Sequence, residues 1–174
     1  MVDSKYLEQF GFTKDQILCT NDIDFANIDY LKDFDVVFFN RPLLPDMDAF
    51  HNIIRTLQKE HGVKFVYDID DYWDVGPKHP SYGAQKRLGY DKHIKESLLI
   101  MDVVTTTTEL FAKRIRKYNK NVVVIPNAIN PEEEQFKPIE KPYDRIRFGF
   151  VMGAQHIRDI ELLKGMTNRL PKDI

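Results

Sequence analysis

Four carboxylates lie within seven positions in the segment "DIDDYWD", residues 68–74. Like charges this close raise one another's pKa unless a metal ion, a ligand, or water and backbone amides separate or neutralise them. Oxygen ligands of this kind suit a hard cation such as Mg²⁺, and "DID" matches a short metal-chelating signature. In a second interpretation, Asp68 caps or accepts hydrogen bonds from loop amides, while Asp70 and Asp74 face water. In a third, Asp70 and Asp71 make polar contacts to a substrate.

Other polar residues also follow strand-like apolar runs. Asn40 and Arg41 follow "DVVFF" (35–39), Thr106 to Thr108 stand at the end of the third strand-like run, and Asn127 follows "NVVVIP" (121–126). Open parallel sheets bind ligands outside the carboxyl ends of their strands, so we expect these residues along one sheet edge. Trp73, the single tryptophan, is either an aromatic wall for a sugar ring or an anchor for the loop.

Strand-like and helix-like segments alternate along the chain. The predicted strands are 35–39, 63–67, 102–107 and 121–126, with Ile17 to Thr20 as one further candidate. Apolar residues at helical spacing predict helices over 47–57, ended by Gly62, over 94–101 and over 110–118. Thr106 with Glu109 has the spacing of a capping box. This alternation predicts the α/β class, with a Rossmann-like parallel sheet and helices on both faces.

The composition changes abruptly after residue 126. Residues 127–145 contain three prolines and an acidic triplet, which indicates a linker between residues 1–126 and residues 146–174. The last segment has one strand-like run (146–153) and a helix-like pattern with Leu162, Leu163, Met166 and Leu170. One strand and one helix cannot bury their own apolar faces. We therefore expect a terminal strand-helix unit that docks on the first domain or opens an incomplete second Rossmann domain.

The overall charge and the apolar runs narrow the function classes. A formal net charge of -2 argues against a nucleic-acid partner. The single cysteine, Cys19, cannot form an internal disulfide, and no apolar run or leader predicts a membrane span or export. These features predict a cytoplasmic protein. The basic segment 112–120 is interpreted as a solvated helix face or as a peripheral contact with anionic lipid.

Four segments together resemble the group 1 glycosyltransferases of the two-Rossmann-domain (GT-B) fold. They are "VYDIDDYWD", "MDVVTTTTELFAKRIRK", "NVVVIPNAIN" and "IRFGFVMGAQHIRDIELL". The resemblance covers roughly residues 35 to 165. It implies that residues 1–126 are an acceptor-type N-terminal domain and that residues 146–174 begin a donor-type domain.

The resemblance also implies the roles of individual residues. Asp70 and Asp71, the catalytic candidates, would bind the acceptor together with Trp73 and Arg41. Gly153, His156 and Asn127 would bind the nucleotide sugar.

The implied reaction transfers a hexose from UDP- or GDP-hexose to a glycan, lipid or protein acceptor. It needs no metal and no cofactor other than that co-substrate. Because the family's nucleotide-binding strands are not recognised in this sequence, this chain alone is expected to be inactive or weakly active, so its status as an enzyme stays open.

The alternative function is a non-catalytic Rossmann-like module that binds a sugar, a nucleotide or a partner protein, including a second copy of itself. A phosphoryl-receiver domain is disfavoured because Asn127 stands where a lysine is expected.

Overall fold

Strands and helices alternate along the chain in the computed structural model, which describes residues 24–40 and 46–137, together with 11, 13, 16–18, 161 and 163–169. The strands are β1 (Val36–Phe39), β2 (Lys64–Asp68), β3 (Val103–Thr106) and β4 (Val122–Val124). The α-helices are α1 (Ile28–Leu31), α2 (Met47–Thr56), α3 (Tyr82–Arg87), α4 (Tyr90–Ile100) and α5 (Glu109–Ile115). The bounds of the four strands agree with those of the four predicted segments to within two residues at every end.

The four strands form one sheet in the order β1-β2-β3-β4, and every neighbouring pair is parallel. Phe39 is opposite Tyr67, and Tyr67 is opposite Val104 in the ladder. Parallel neighbours need a crossover connection, and the helical segments between the strands provide it. The predicted α/β class with a Rossmann-like parallel sheet is confirmed.

The hydrophobic core lies against one face of this sheet. Alternate residues of a strand point to opposite faces. The strand register places these buried apolar side chains on one face: Val37, Phe39, Phe65, Tyr67 and Val104. They form one cluster with helix side chains such as Phe50, Ile94 and Ile115. Phe50 packs edge-on against Phe39 with ring centroids 5.6 Å apart. Burying each such ring contributes about 2–3 kcal/mol to folding.

The opposite face of the sheet is more exposed. Val36, Phe38, Val123 and Ile125 each expose between 50% and 59% of their surface. Right-handed crossovers between strands in sequential order all pass on the same side of a sheet. Because the order β1-β2-β3-β4 does not reverse, these connections supply one helical layer. The four described strands contain no reversal of strand order that would place a crossover helix on the second face, so helices on both faces stay a prediction.

Helix α2 shows how the sequence positions this helical layer. Its N-cap, Asp46, accepts hydrogen bonds from the amides of Asp48 and Ala49, both at 3.0 Å. Apolar residues at helical spacing place Phe50 and Ile54 on the buried face. The helix widens into a π-turn over Leu57–His61 and ends at Gly62, whose φ of 75° is the left-handed conformation that favours glycine. The predicted stop at Gly62 is confirmed.

A buried hydrogen bond joins α2 to α4. The ring Nε2 of His51 lies 2.8 Å from the hydroxyl oxygen of Ser97, and the Ser97 hydroxyl donates to the backbone oxygen of His93 at 2.9 Å. Since the serine proton is used for His93, His51 donates to Ser97. Burial and the nearby Arg55 lower the pKa of His51, so its neutral form is favoured.

The predicted capping box at the start of α5 is wrong. The N-cap is Thr108, whose hydroxyl accepts from the amide of Phe111 at 3.2 Å. Thr106 remains in β3, fully buried, and its backbone oxygen accepts from the amide of Ile125 at 2.8 Å. Strand pairing therefore holds Thr106 in extended backbone, and the cap moves to the last residue before the helix.

The remaining sequence predictions concern the two ends of the chain. Ile17 and Leu18 are described without regular structure, whereas Cys19 and Thr20 lie outside the described residues. The predicted strand 146–153 also lies outside them. In the segment where a helix with Leu162 to Leu170 is predicted, the described part contains a 3₁₀ helix, Met166–Arg169. Within the described part of the chain, no helix combines the length and apolar character required to cross a bilayer.

Candidate functional site

Three strand ends are joined through the carboxylate of Asp68, the last residue of β2. One of its oxygens accepts from the side-chain amide of Asn40, which follows β1, at 2.9 Å. The other accepts from the hydroxyl of Thr105, its partner in β3, at 2.6 Å. Both oxygens of Asp68 are thus bound within the protein. This matches the interpretation in which Asp68 accepts hydrogen bonds, although its partners are side chains of neighbouring strand ends rather than loop amides.

The chain continues the strand direction for one further residue beyond Asp68. The amide of Ile69 donates to the backbone oxygen of Thr105 at 2.9 Å, and the side chain of Ile69 is buried. Asp70 and Asp71 come next, and both are exposed. The acidic segment is tolerated because its charges occupy different environments, with Asp68 satisfied by protein and the next two in solvent.

The negative charges of this segment also affect the buried side chain of Tyr67. Burial raises the pKa of the Tyr67 hydroxyl, and the neighbouring Tyr90, Asp68 and Asp70 add to the rise. The phenol therefore stays protonated and uncharged at neutral pH, so it adds no negative charge beside the carboxylates. Its ring stacks on Phe39 with centroids 5.1 Å apart, which fixes the strand end from the inside.

Trp73 is buried, with 4% of its surface exposed. Its ring packs against Phe111 and Tyr118, with centroid distances of 5.7 and 5.9 Å, so the tryptophan anchors the acidic segment to α5 and to the chain just after it. This agrees with the interpretation of Trp73 as a loop anchor. The aromatic ring that reaches solvent beside the carboxylates belongs to its neighbour Tyr72, which is 42% exposed.

Tyr72 and Arg114 form a surface pair that the sequence interpretation missed. The guanidinium carbon of Arg114 lies 4.7 Å from the centre of the Tyr72 ring, a cation–π geometry. The pair places a positive charge next to the acidic segment. The letters "DDYWD" signal an aromatic pair, but only the packing of α5 shows which ring is exposed and which cation accompanies it.

The other predicted site residues fall into two groups. Asn127 follows β4 and is exposed. Arg41, Gly153 and His156 lie outside the described residues. The structure thus brings Asn40, Asp68 and Thr105 together at the carboxyl edge of the sheet, with Asp70 and Asp71 beside them. In the described ranges, no three histidine, cysteine or acidic side chains cluster in a way that could hold a metal ion.

Comparisons with protein-family models, with curated proteins and with solved structures find no match to this chain.

Proposed function

We propose that this chain forms the acceptor-binding part of a nucleotide-sugar glycosyltransferase of the GT-B type. One observation carries the proposal: two exposed carboxylates, Asp70 and Asp71, lie at the carboxyl edge of a parallel sheet. They follow Asp68, whose two oxygens are already hydrogen-bonded within the protein. Crevices at this edge are where open α/β sheets bind ligands. The order of motifs around the acidic segment supports the same assignment.

The proposed chemistry is hexosyl transfer from UDP- or GDP-hexose to a hydroxyl group. The acceptor oxygen bonds to the anomeric carbon, the bond from that carbon to the diphosphate oxygen breaks, and the nucleoside diphosphate leaves. The proton of the acceptor hydroxyl passes to the departing diphosphate oxygen. Ionised Asp70 and Asp71 would accept hydrogen bonds from acceptor hydroxyls and orient the attacking one. The proposed donor-side residues are Asn127, Gly153 and His156, and Arg41 joins the acceptor side.

A transfer and binding assay tests the proposal. The full chain is incubated with UDP-glucose or GDP-mannose and a panel of glycan and lipid acceptors, and binding of each nucleotide sugar and acceptor is measured by calorimetry. Replacing both carboxylates, Asp70→Asn with Asp71→Asn, should weaken acceptor binding or transfer about tenfold or more, because hydrogen bonds to a charged group are lost.

Asp33→Asn is the matched control, since Asp33 is an exposed aspartate that lies next to α1 and away from this edge. It should leave binding and transfer unchanged. If the wild-type chain neither binds nor transfers with any donor and acceptor, or if the double variant equals the control, the proposal is wrong.

The second candidate is a non-catalytic Rossmann-like module that associates with a second copy of itself. The observation that favours it is a set of exposed apolar side chains on the outer sheet face: Val36 and Phe38 on β1, Val123 on β4, and Ile125 just after β4. Exposed apolar surface of this kind often marks a protein contact. Sedimentation should then show a concentration-dependent dimer that Phe38→Lys abolishes. A monomer at all concentrations contradicts this candidate.

The lipid acceptor class gains support from helix α5. Lys113 and Lys117 are exposed on this helix and the residues that follow it, and Leu110 exposes 76% of its surface. Such a basic, partly apolar surface can lie on anionic headgroups, at about 1 kcal/mol per lysine. Vesicles rich in phosphatidylserine should therefore sediment the wild-type chain more strongly than Lys113→Glu with Lys117→Glu. Equal binding of both proteins excludes this contact.

A further inference from the structure

A small cavity lies between the acidic segment and helices α3 and α4. Trp73, Tyr82, Gln85, Lys86 and Asp91 are among the residues that line it. The space open to the centre of a water-sized group is about 10 Å³. That is room for a single water molecule or for one hydroxyl group of a larger ligand.

Two of these lining residues each have one polar atom that is buried without a hydrogen-bond partner in the described part of the chain. One is the indole nitrogen of Trp73, a donor, and the other is the side-chain oxygen of Gln85, an acceptor. The amide nitrogen of Gln85 donates to the hydroxyl of Ser81 at 3.1 Å, which fixes the orientation of the amide. An unpaired buried polar atom costs about 1–3 kcal/mol. A single occupant that both accepts and donates a hydrogen bond would satisfy the two atoms together.

The charges at the mouth of the cavity compensate one another. Asp91 lies 3.9 Å from the Lys86 ammonium and 3.5 Å from that of Lys95. Partial burial alone would raise the pKa of Asp91, but Lys86 and Lys95 outweigh it and lower the pKa, so the carboxylate stays ionised. An anionic ligand would have to compete with Asp91 for these ammonium groups, and a cationic ligand would be repelled by them. The mouth therefore favours a neutral ligand.

Tyr82 adds an aromatic surface to the same lining. A phenol ring packs on the C–H face of a sugar, while an amide and an indole N–H bind its hydroxyl groups. A neutral molecule that carries hydroxyl groups on an apolar ring fits these features together.

We propose that this cavity is a binding subsite for one hydroxyl group of a carbohydrate. The hydroxyl oxygen accepts from the Trp73 indole N–H and its proton is donated to the Gln85 oxygen, with the sugar ring beside Tyr82. The choice of a carbohydrate rests on the proposed function, and the subsite deepens that function by naming where an acceptor sugar is held.

The single tryptophan makes the test direct, because the chain has only one indole N–H resonance. The full chain is titrated with glucose, galactose, mannose and N-acetylglucosamine, each as the methyl glycoside, and the resonance is followed by ¹⁵N–¹H NMR. At least one sugar should shift the resonance in a saturable manner. Gln85→Leu, which removes the acceptor, should weaken that binding about three- to tenfold.

Gln135→Leu is the matched control, since Gln135 is exposed and donates to Glu133 instead. Gln85→Glu keeps an acceptor oxygen and should retain binding. If no sugar moves the indole resonance, the proposal is overturned, and a bound water in contact with the indole proton would identify the cavity as a water site. Equal sugar affinity of Gln85→Leu and the wild type also overturns it.

This titration needs no nucleotide sugar and no transfer step. Sugar binding that shifts the indole resonance, and that Asp70→Asn with Asp71→Asn does not weaken, contradicts the proposed function while the subsite stands. Transfer by the chain without any shift of the indole resonance contradicts the subsite while the proposed function stands.

Discussion

The two edges of the sheet treat their polar side chains differently. At the amino edge, Asp102 accepts hydrogen bonds from the backbone amide of Phe65, from Gln58 and from Lys64, at 2.9, 2.9 and 3.1 Å. Beside it, the buried amide nitrogen of Asn119 donates to the backbone oxygens of Leu98 and Met101, both at 2.8 Å. These side chains form hydrogen bonds with backbone groups at the ends of loops and strands, so their donors and acceptors are paired within the protein.

At the carboxyl edge, only part of that capacity is used. Asp68 is bound on both oxygens, but Asp70 and Asp71 are exposed directly after it. The indole nitrogen of Trp73 and the hydroxyl of Thr106 are buried without partners in the described ranges. A fold tolerates unpaired polar groups at a cost in stability, and functional sites are where that cost is usually accepted. The polar groups of the amino edge are thus paired for structure, whereas those of the carboxyl edge include exposed carboxylates and unpaired atoms to which a ligand could bind.

The largest expected effect is at the amino edge. Asn119→Ala removes two hydrogen bonds to buried carbonyls, and also the bond from the Asn121 amide to the Asn119 oxygen. The free energy of unfolding should fall by about 2–4 kcal/mol, measured by urea denaturation. Asn121→Ala is the control, because its exposed side chain makes one 3.1 Å bond to the backbone oxygen of Asp102. A smaller loss for Asn119→Ala than for this control would remove the structural role from the amino edge.

Asp102→Asn should cost about 1–3 kcal/mol at pH 7. Burial would raise the pKa of Asp102, but hydrogen bonds from the Phe65 amide, Gln58 and Lys64 lower it below the ordinary value. A carboxyl whose folded pKa is depressed stabilises the protein above its unfolded pKa, and this contribution is lost as pH falls through the folded pKa. The stability gap between wild type and variant should therefore narrow below about pH 4. A gap that is constant from pH 7 to pH 3 contradicts this account.

Asp68→Asn tests the bound carboxylate of the opposite edge. One of its two acceptor oxygens becomes a donor, and we expect a loss of about 0.5–1.5 kcal/mol in the free energy of unfolding. A double-mutant cycle with Thr105→Val isolates the 2.6 Å hydrogen bond between the two side chains. A coupling energy near zero would show that this bond does not hold the ends of β2 and β3 together.

The smallest effect on stability belongs to the exposed carboxylates. Asp70→Asn and Asp71→Asn should each change the free energy of unfolding by less than about 0.5 kcal/mol, because neither side chain is buried. Thermal denaturation of both variants beside Asp68→Asn measures this contrast within one acidic segment. Destabilisation as large as that of Asp68→Asn would make these residues structural and would remove the basis for assigning them to acceptor binding.

Sequence patterns were sufficient where a structural element depends on near neighbours. The four apolar runs predicted as strands between residues 35 and 126 are strands, and the spacing of Phe50 and Ile54 placed one buried face on α2 before Gly62 ended the helical segment. The capping box failed although it is also local. Pairing with β4, which the spacing of Thr106 and Glu109 does not reveal, kept Thr106 in the strand.

The sequence by itself determined the parallel α/β class and the position of the acidic segment at a strand end. Only the tertiary structure decided which carboxylate is hydrogen-bonded within the protein, because the partners Asn40 and Thr105 lie 28 and 37 residues away from Asp68. It also decided that Trp73 is buried while Tyr72 is exposed, since Phe111 and Tyr118 reach the indole through the packing of a later segment. The alternation of side chains between the two faces of a strand can be inferred from the sequence. The neighbours that pair with a polar group, or leave it exposed, are set by contacts between segments that are far apart in the chain.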